Sequence, residues 1–255
     1  MLRIHYFLAF CACFVFSHVE AQFKLKNQNN YREGLHFGYR GDFGGYREYH
    51  NVKEFYNQQR PWLDNSLSEG TWLHGFDIGL GTQSDFGGAT LVNIAFTTRK
   101  DKVKGTLPNG DEFTRSVRMS QFTIDAIDAW WTPVHVGGFD MGFGVMPMGV
   151  MWVRFKTKLN GERPELGPFS KGSFRLSDVL LDMDAYSTFH LDVVRRSSDK
   201  NTGLRFQLFY FLGWPTKTHD LILLNQELNP NSFNNYRERT LLRNSHFGIK
   251  TMLFI

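Results

Sequence analysis

Eight stretches of this sequence alternate apolar side chains with polar or glycine residues at a period of two. That spacing is typical of β-strands whose two faces meet different surroundings, because successive side chains of a strand point to opposite faces. No segment with a helical period dominates the chain. The eight predicted strands cover residues 35–40, 72–81, 89–96, 113–127, 138–145, 189–194, 204–213 and 246–255.

The connections between these strands alternate between long and short. Long connections follow the first, third, fifth and seventh strands, and the one after the third strand contains Pro108-Asn109-Gly110. The short connections are predicted at Ser84–Asp85, Trp131–Pro133 and Ser198–Asn201. Outer-membrane barrels have this arrangement, with short periplasmic turns and long outer loops. We therefore predict an all-β fold, an eight-stranded antiparallel transmembrane β-barrel formed by residues 22–255.

The first 21 residues predict a secretory signal peptide. They combine a basic start at Arg3, a short apolar run over residues 6–16 and a small residue, Ala21, before the expected cleavage at Gln22. An uncleaved anchor and lipid attachment to a cysteine are the alternatives. The chain has two cysteines, and both lie in this segment, so the mature protein is expected to hold no disulfide: Cys11 and Cys13.

Charged and small residues occupy the strand positions that are predicted to face inward. A barrel of eight strands leaves an interior that side chains just fill, so mixed charges there predict a plugged polar lumen and not an open pore. The predicted lumen network consists of His36, Arg40, Asp77, Asp140, His190, Asp192, Arg205 and Lys250. Two aromatic girdles are expected, an outer one with Trp72 and Trp214 and an inner one with Trp130 and Trp131.

Two local features interrupt the strand pattern. In the fourth strand the apolar positions change parity between Met119 and Phe122, which predicts a β-bulge near Ser120. Residues Tyr46–Gln58 have a helical spacing and are followed by Pro61, so they predict a short helix in the first outer loop. That helix would cover the mouth of the barrel, lie at the membrane surface or dock a partner.

No constellation of residues with catalytic or metal-binding spacing stands out. By parity, His36, His190 and His246 point inward, and His190 shares its face with Asp192, but no paired H-x-H or H-E-x-x-H spacing is present. Histidines hydrogen-bonded in a polar lumen explain the pattern best. The pairs Asp125/Asp128, expected at a strand end, and Asp182/Asp184, expected on a solvated loop, lack the spacing of a calcium loop. No cofactor is predicted.

The whole mature chain resembles the outer-membrane β-barrel proteins of Bacteroidota. The resemblance is carried by the Ala21-Gln22 site, the first strand Gly34–Tyr39, the segment Glu54–Leu63 and the terminal strand His246–Ile255. It implies an architecture and a location, not an activity. Such proteins usually end on an aromatic residue, whereas here one further residue follows Phe254.

These features favour a non-enzymatic protein of the Gram-negative outer membrane. It would contact outer-membrane lipid and anchor or bind a protein partner through its long outer loops. The net charge of +4 is spread along the chain without a block of like charges, which gives no support to nucleic-acid binding. The alternatives are a barrel-embedded enzyme acting on envelope lipids, with His190 as its candidate residue, a narrow channel, and a soluble β-sandwich.

Overall fold

All eight predicted strands form. The structure is a computed structural model, and it describes residues 32–43, 47–68, 70, 72–84, 87–162, 184–197, 202–213, 219–230 and 245–255. The strands are β1 Arg32–Phe43, β2 Trp72–Ser84, β3 Gly87–Thr106, β4 Glu112–Val136, β5 Phe139–Leu159, β6 Asp184–Arg196, β7 Gly203–Gly213 and β8 Ser245–Phe254. The helices are α1 Arg47–Gln58, between β1 and β2, and α2 His219–Leu228, between β7 and β8. The predicted features Ala21-Gln22, Asp182, Ser198–Asn201 and Trp214 lie outside the described residues.

The strands close into a single antiparallel ring. Each strand pairs with the next along the chain, and β8 pairs with β1, so that Tyr39 lies opposite Phe76 on one side and Thr251 on the other. Closure gives every strand a hydrogen-bonding partner on both edges, as hydrocarbon surroundings require. The prediction of an eight-stranded antiparallel barrel is confirmed.

The outer surface of the ring carries a continuous band of exposed apolar side chains. Phe76, Leu80, Phe143, Leu191 and Phe247 are each more than half exposed, at 55%, 59%, 56%, 61% and 59%. On β5 the band runs from Phe139 to Trp152, which at about 3.3 Å per residue and a tilt of about 40° spans roughly 33 Å along the barrel axis. That height suffices to cross a hydrocarbon core of about 30 Å. The fold is therefore that of a transmembrane β-barrel.

The end of the barrel with the short connections, here named the turn end, also holds the start of β1 and the end of β8. The hairpin between β4 and β5 turns at Gly137 and Gly138, whose φ angles of 57° and 83° suit glycine. The predicted turn at Trp131–Pro133 is therefore wrong, because β4 continues to Val136. A shift in register between Trp131 and Val134 accommodates the proline, which cannot donate to the ladder.

At the opposite end, here named the loop end, three strands project beyond the apolar band. The prediction of a long loop around Pro108, after the third strand, is wrong, since β3 and β4 leave only residues 107–111 between them. Residues 99–106 of β3, 112–119 of β4 and 153–159 of β5 continue in register as a three-stranded sheet. We call this sheet the extension.

The bulge predicted near Ser120 is wrong as well. Ser120 pairs with Thr98 on β3 and with Arg154 on β5 in an unbroken register. Val117 and Met119 point inward and are buried, because the interior of the extension is apolar where the interior of the membrane-spanning part is polar. The inward parity changes at Ile127 instead, whose φ is 55°.

The two helices fill the inside of the extension. Helix α1 buries Tyr49, Val52 and Tyr56, and α2 buries Leu224 and Leu228 in the same apolar cluster. The cluster also contains side chains of the extension, namely Val103, Val117, Met119, Val153 and Phe155. The predicted loop helix is thus confirmed as α1, and it covers the inner face of the extension.

Hydrogen bonds join the two helical segments to each other. The side chain of Asn229 donates to the carbonyl oxygen of Val52 at 3.1 Å, and that of Arg60 donates to the carbonyl oxygen of Leu228 at 3.1 Å. Both helices therefore belong to one packed unit inside the loop end. Neither is long and apolar enough to cross a bilayer, and this holds for every helix within the described ranges.

Candidate functional site

A chain of ion pairs occupies the lumen nearer the turn end. The two ring nitrogens of His190 lie 2.6 Å from Asp128 and 2.7 Å from Asp192, an arrangement in which an imidazolium donates to both carboxylates. Arg205 donates from Nε to Asp192 at 2.7 Å and lies over the ring of Trp130 at 3.8 Å. Trp130 therefore faces the lumen and is not part of an inner girdle, whereas Trp131 is exposed at 41%.

A second cluster is centred on Lys250. Its ammonium group lies 3.3 Å from a carboxylate oxygen of Asp77 and 3.3 Å from one of Asp125. The amide of Asn93 bridges the same two carboxylates, at 2.8 Å and 2.9 Å. Tyr186 donates its hydroxyl to Asp125. Each buried charge here faces an opposite charge or a hydrogen-bond partner, as a low-dielectric interior demands.

A third group lies closer to the loop end. The guanidinium of Arg40 donates to Asp42 at 3.1 Å and to the hydroxyl of Thr123 at 3.1 Å, and His246 lies 3.2 Å from Asp42. Arg40 also lies over the ring of Phe209 at 5.0 Å. Charged heads and aromatic rings together fill the cross-section of the barrel at this level.

Seven of the eight predicted network residues are buried in the lumen, and one lies apart. His36 joins the Lys250 cluster, 3.1 Å from Asn93. The exception is Asp140, which contacts His135 at 2.5 Å and Arg196 at 3.1 Å near the turn end and has a side chain that is 18% exposed. The buried residues are His36, Arg40, Asp77, His190, Asp192, Arg205 and Lys250.

The lumen also contains carboxylates that the sequence pattern does not predict there. Asp125 and Asp128 are both buried within β4 and not at a strand end, which corrects the expectation for that pair. Asp184 is also buried, as the first residue of β6, where a solvated loop was expected. Strict parity cannot place Asp125 and Asp128 on one face, because they are an odd number of residues apart. The irregularity at Ile127 lets both point inward.

This arrangement fills the lumen with large side chains. Arg40, Tyr186, Arg205, Phe209 and Phe211 rank among the largest fully buried side chains. Tyr186 stacks on Phe211 with ring centroids 4.1 Å apart. Across the described parts of the chain, no group of histidine, cysteine, aspartate or glutamate side chains is arranged to hold a metal ion. The lumen therefore has the character of a packed polar core.

Inside the extension, polar contacts fasten both helices to the sheet. Asp101 faces Lys53 at 3.7 Å, Arg99 at 2.8 Å and the hydroxyl of Tyr49 at 3.5 Å. Burial, reinforced by the Asp101 carboxylate, raises the pKa of Tyr49 well above its ordinary value. On the α2 side, Arg115 reaches a carboxylate oxygen of Glu227 at 3.2 Å. Through these contacts, α1 and α2 are fixed to the extension and cover the lumen at the loop end.

The outward face of the extension is strongly basic. Besides Arg154, six exposed cationic side chains project from the three strands of the extension: Lys100, Lys102, Lys104, Arg118, Lys156 and Lys158. Lys100, Arg118 and Lys156 lie directly opposite one another across β3, β4 and β5. We call these six residues the basic face. A shallow depression of about 470 Å³ lies on it, lined by Lys100, Lys102, Glu112, Thr114, Ser116, Lys158, Asn160 and Gly161.

The carboxylates of the described residues do not form ion pairs with the basic face. The nearest acidic side chain along β3, Asp101, points inward to Lys53 and Arg99. Like charges directly opposite one another destabilise a sheet, so the basic face does not serve the stability of the extension. An exposed cationic surface of this kind suits an anionic ligand.

A signal for the basic face was present in the sequence. Lys100, Lys102 and Lys104 alternate with Asp101 and Val103, and residues 154–158 show the same alternation of cations with Phe155 and Thr157. Because their apolar positions are few, both segments have the sequence character of loops. Period two with a charged face would have extended the strands.

Comparison with known proteins adds little to this description. No family model matches the sequence, and no curated protein does either. Among solved structures, the chain is similar to Ail, the attachment invasion locus protein of Yersinia pestis, with 7% sequence identity and a TM-score of 0.31. The superposition covers 88% of this chain and 96% of Ail. The class of protein, a transmembrane β-barrel with a sealed lumen, is defined by the closed ring and its apolar band.

Proposed function

We propose that this chain is an integral protein of a Gram-negative outer membrane that catalyses no reaction and binds an anionic partner through its basic face. One observation carries the proposal. The apolar band and the basic face occupy outward positions of the same three strands, β3, β4 and β5, at different heights. The band suits lipid, and the face above it suits a ligand outside the hydrocarbon.

The orientation follows from the two ends of the barrel. Short turns are periplasmic and long connections are external in outer-membrane barrels, which puts the extension, α1 and α2 outside the cell. Export would use the predicted signal peptide, with cleavage between Ala21 and Gln22. Partner binding then falls to the loop end, as expected from the sequence, although on a sheet face and not on a loop.

The contacts of the lumen argue for this function over the two alternatives. As the candidate base of an envelope-lipid enzyme, His190 would need access to the rim, but both its ring nitrogens contact carboxylates and its side chain is 1% exposed. A narrow channel would need a path past Arg40, Phe209 and Phe211, all of which are fully buried. A sealed lumen fits a protein that displays a surface.

Fractionation of a Gram-negative host that produces the full chain tests the proposal. We expect the protein in the outer-membrane fraction, with a gel mobility that shifts on boiling. Mass spectrometry should show that the mature chain begins at Gln22. Planar bilayers containing the purified protein should show no stepwise conductance. A soluble protein without a heat-dependent shift would refute the membrane location, and steady single-channel currents would refute the sealed lumen.

A further inference from the structure

The basic face has two tiers at different distances from the membrane. Lys100, Arg118 and Lys156 form the proximal tier, a continuous row across the three strands. Lys102, Lys104 and Lys158 form the distal tier, nearer the tip of the extension. Each tier has three cationic side chains. The main difference between the tiers is therefore their height above the membrane.

An aromatic row marks the upper limit of the apolar band on these strands. Phe96 lies opposite Phe122, and Phe122 lies opposite Trp152, with ring centroids 5.5 Å apart in the second pair. Aromatic rings of this kind lie at the level of the lipid headgroups in transmembrane barrels. The row therefore locates the boundary of the hydrocarbon on this side of the barrel.

The proximal tier lies four residues beyond this row on every strand, and the exposed Arg154 lies between the row and the tier on β5, two residues beyond Trp152. At about 3.3 Å per residue and a tilt of about 40°, that separation is roughly 10 Å along the membrane normal. Headgroups fill about 5–8 Å beyond the hydrocarbon, and long basic side chains extend their charged ends toward a neighbouring interface. The distal tier begins two residues further, at roughly 15 Å, beyond the reach of most headgroups.

We propose that the proximal tier, Lys100, Arg118 and Lys156, binds the phosphate groups of anionic lipids in the leaflet on the loop side. This inference rests on the proposed function, because it requires the barrel to span a membrane in the orientation given above. Arg118, in the middle of the row, offers the planar donor fork that suits a phosphate, and the two flanking lysines add charge. The side chains face outward, toward the lipid that surrounds the barrel.

The lipid source explains the arrangement better than a soluble polyanion. The proximal tier continues the lipid-facing surface of the strands without an intervening acidic side chain in the described residues. Each cation near an anionic membrane surface strengthens binding by about fivefold. Loss of all three proximal charges is therefore expected to weaken the preference for anionic lipid by about 10- to 100-fold.

The test compares two triple variants of equal charge in lipid nanodiscs. The mature chain is reconstituted in phosphatidylcholine with about one-tenth phosphatidic acid, and spin-labelled versions of both lipids report their relative association constants. The proximal variant is K100Q/R118Q/K156Q, and the matched control is K102Q/K104Q/K158Q. The wild type should prefer phosphatidic acid, and the proximal variant should lose most of that preference. In the distal variant, the ratio of the two association constants should fall by less than about threefold.

Two outcomes would overturn the inference. One is a wild type that shows no preference for phosphatidic acid. The other is a preference for phosphatidic acid that falls equally in both triple variants. If both variants also lose heparin binding to the same extent, the basic face binds a soluble polyanion instead. Raising the salt concentration on the wild type is an independent check, because electrostatic lipid selectivity must fall with ionic strength.

Folding is monitored separately through the heat-dependent mobility shift. Removing three opposed like charges should leave that shift intact. A wild type that fails to insert into nanodiscs would refute the proposed function itself. A wild type that inserts and shows no lipid preference would refute only the lipid inference.

Discussion

Replacement of Arg205 by methionine is expected to destabilise the barrel by about 3–5 kcal/mol. Arg205 is fully buried and faces Asp192 at 2.7 Å and Asp128 at 3.7 Å. Without its guanidinium, two buried carboxylates share the single imidazole of His190, so one negative charge is left without a partner. Methionine keeps most of the apolar stem and can still pack on Trp130, so the change isolates the charge.

A double-mutant cycle tests the cause of that loss. Asp192→Asn in the Arg205→Met background removes the uncompensated charge and should restore at least half of the lost stability. Arg195→Met is the matched control, because Arg195 lies on the exposed surface and its loss should change stability by no more than about 0.5 kcal/mol.

Urea unfolding in lipid vesicles measures these differences, with tryptophan fluorescence and gel mobility as the two readouts. An R205M variant within about 1 kcal/mol of the wild type would refute the reasoning, since a cost that small is typical of ion pairs that stay hydrated. A double variant as unstable as the sum of the two single variants would also refute it.

Three further changes test other parts of the structure. Gly142→Ala places a methyl group 1.7 Å from a carbonyl oxygen of the neighbouring strand and should reduce heat resistance on gels, whereas Gly70→Ala, with no atom within 4 Å, should not. Leu224→Ala in α2 should cost about 2–5 kcal/mol of local stability, detected as faster hydrogen exchange in α2 with an unchanged barrel transition, and Gln226→Ala should leave exchange unaltered. Tyr49 has a raised pKa because it is buried, so the folded state retains its proton where the unfolded chain has lost it. Stability should then fall as the pH rises above about 10. Tyr49→Phe should make that fall smaller when unfolding is followed between about pH 9 and pH 12, a range around the ordinary tyrosine pKa.

The sequence alone determined the central part of each of the eight strands and, for most of them, which residues face inward. The reason is local: the pleat alternates side chains with a period of two, so His36, Arg40 and Arg205 could be assigned to one face without knowledge of their neighbours. The same holds for α1, whose apolar residues have helical spacing and whose end is marked by a proline. Alternating connection lengths then favoured a closed antiparallel ring.

Turn positions and bulges are harder to predict from the sequence, because they depend on how strands pair. The β4–β5 hairpin could be placed at Trp131–Pro133 only by taking the proline as a strand end. Pairing with β5 carries the strand past it to Gly137 and Gly138. Likewise, Val117 and Met119 suggest a change of parity until the helices that cover them are known.

Only the tertiary structure decided which charged residues meet. Asp128 reaches His190, and Asp125 reaches Lys250, across strands that are distant in sequence, because register and closure bring them to the same height in the lumen. The basic face depends on the same cause. Lys100, Arg118 and Lys156 are separated along the chain and form one row only because three strands pair in a particular register. Periodicity assigns a residue to a face, but the pairing of strands assigns its neighbours.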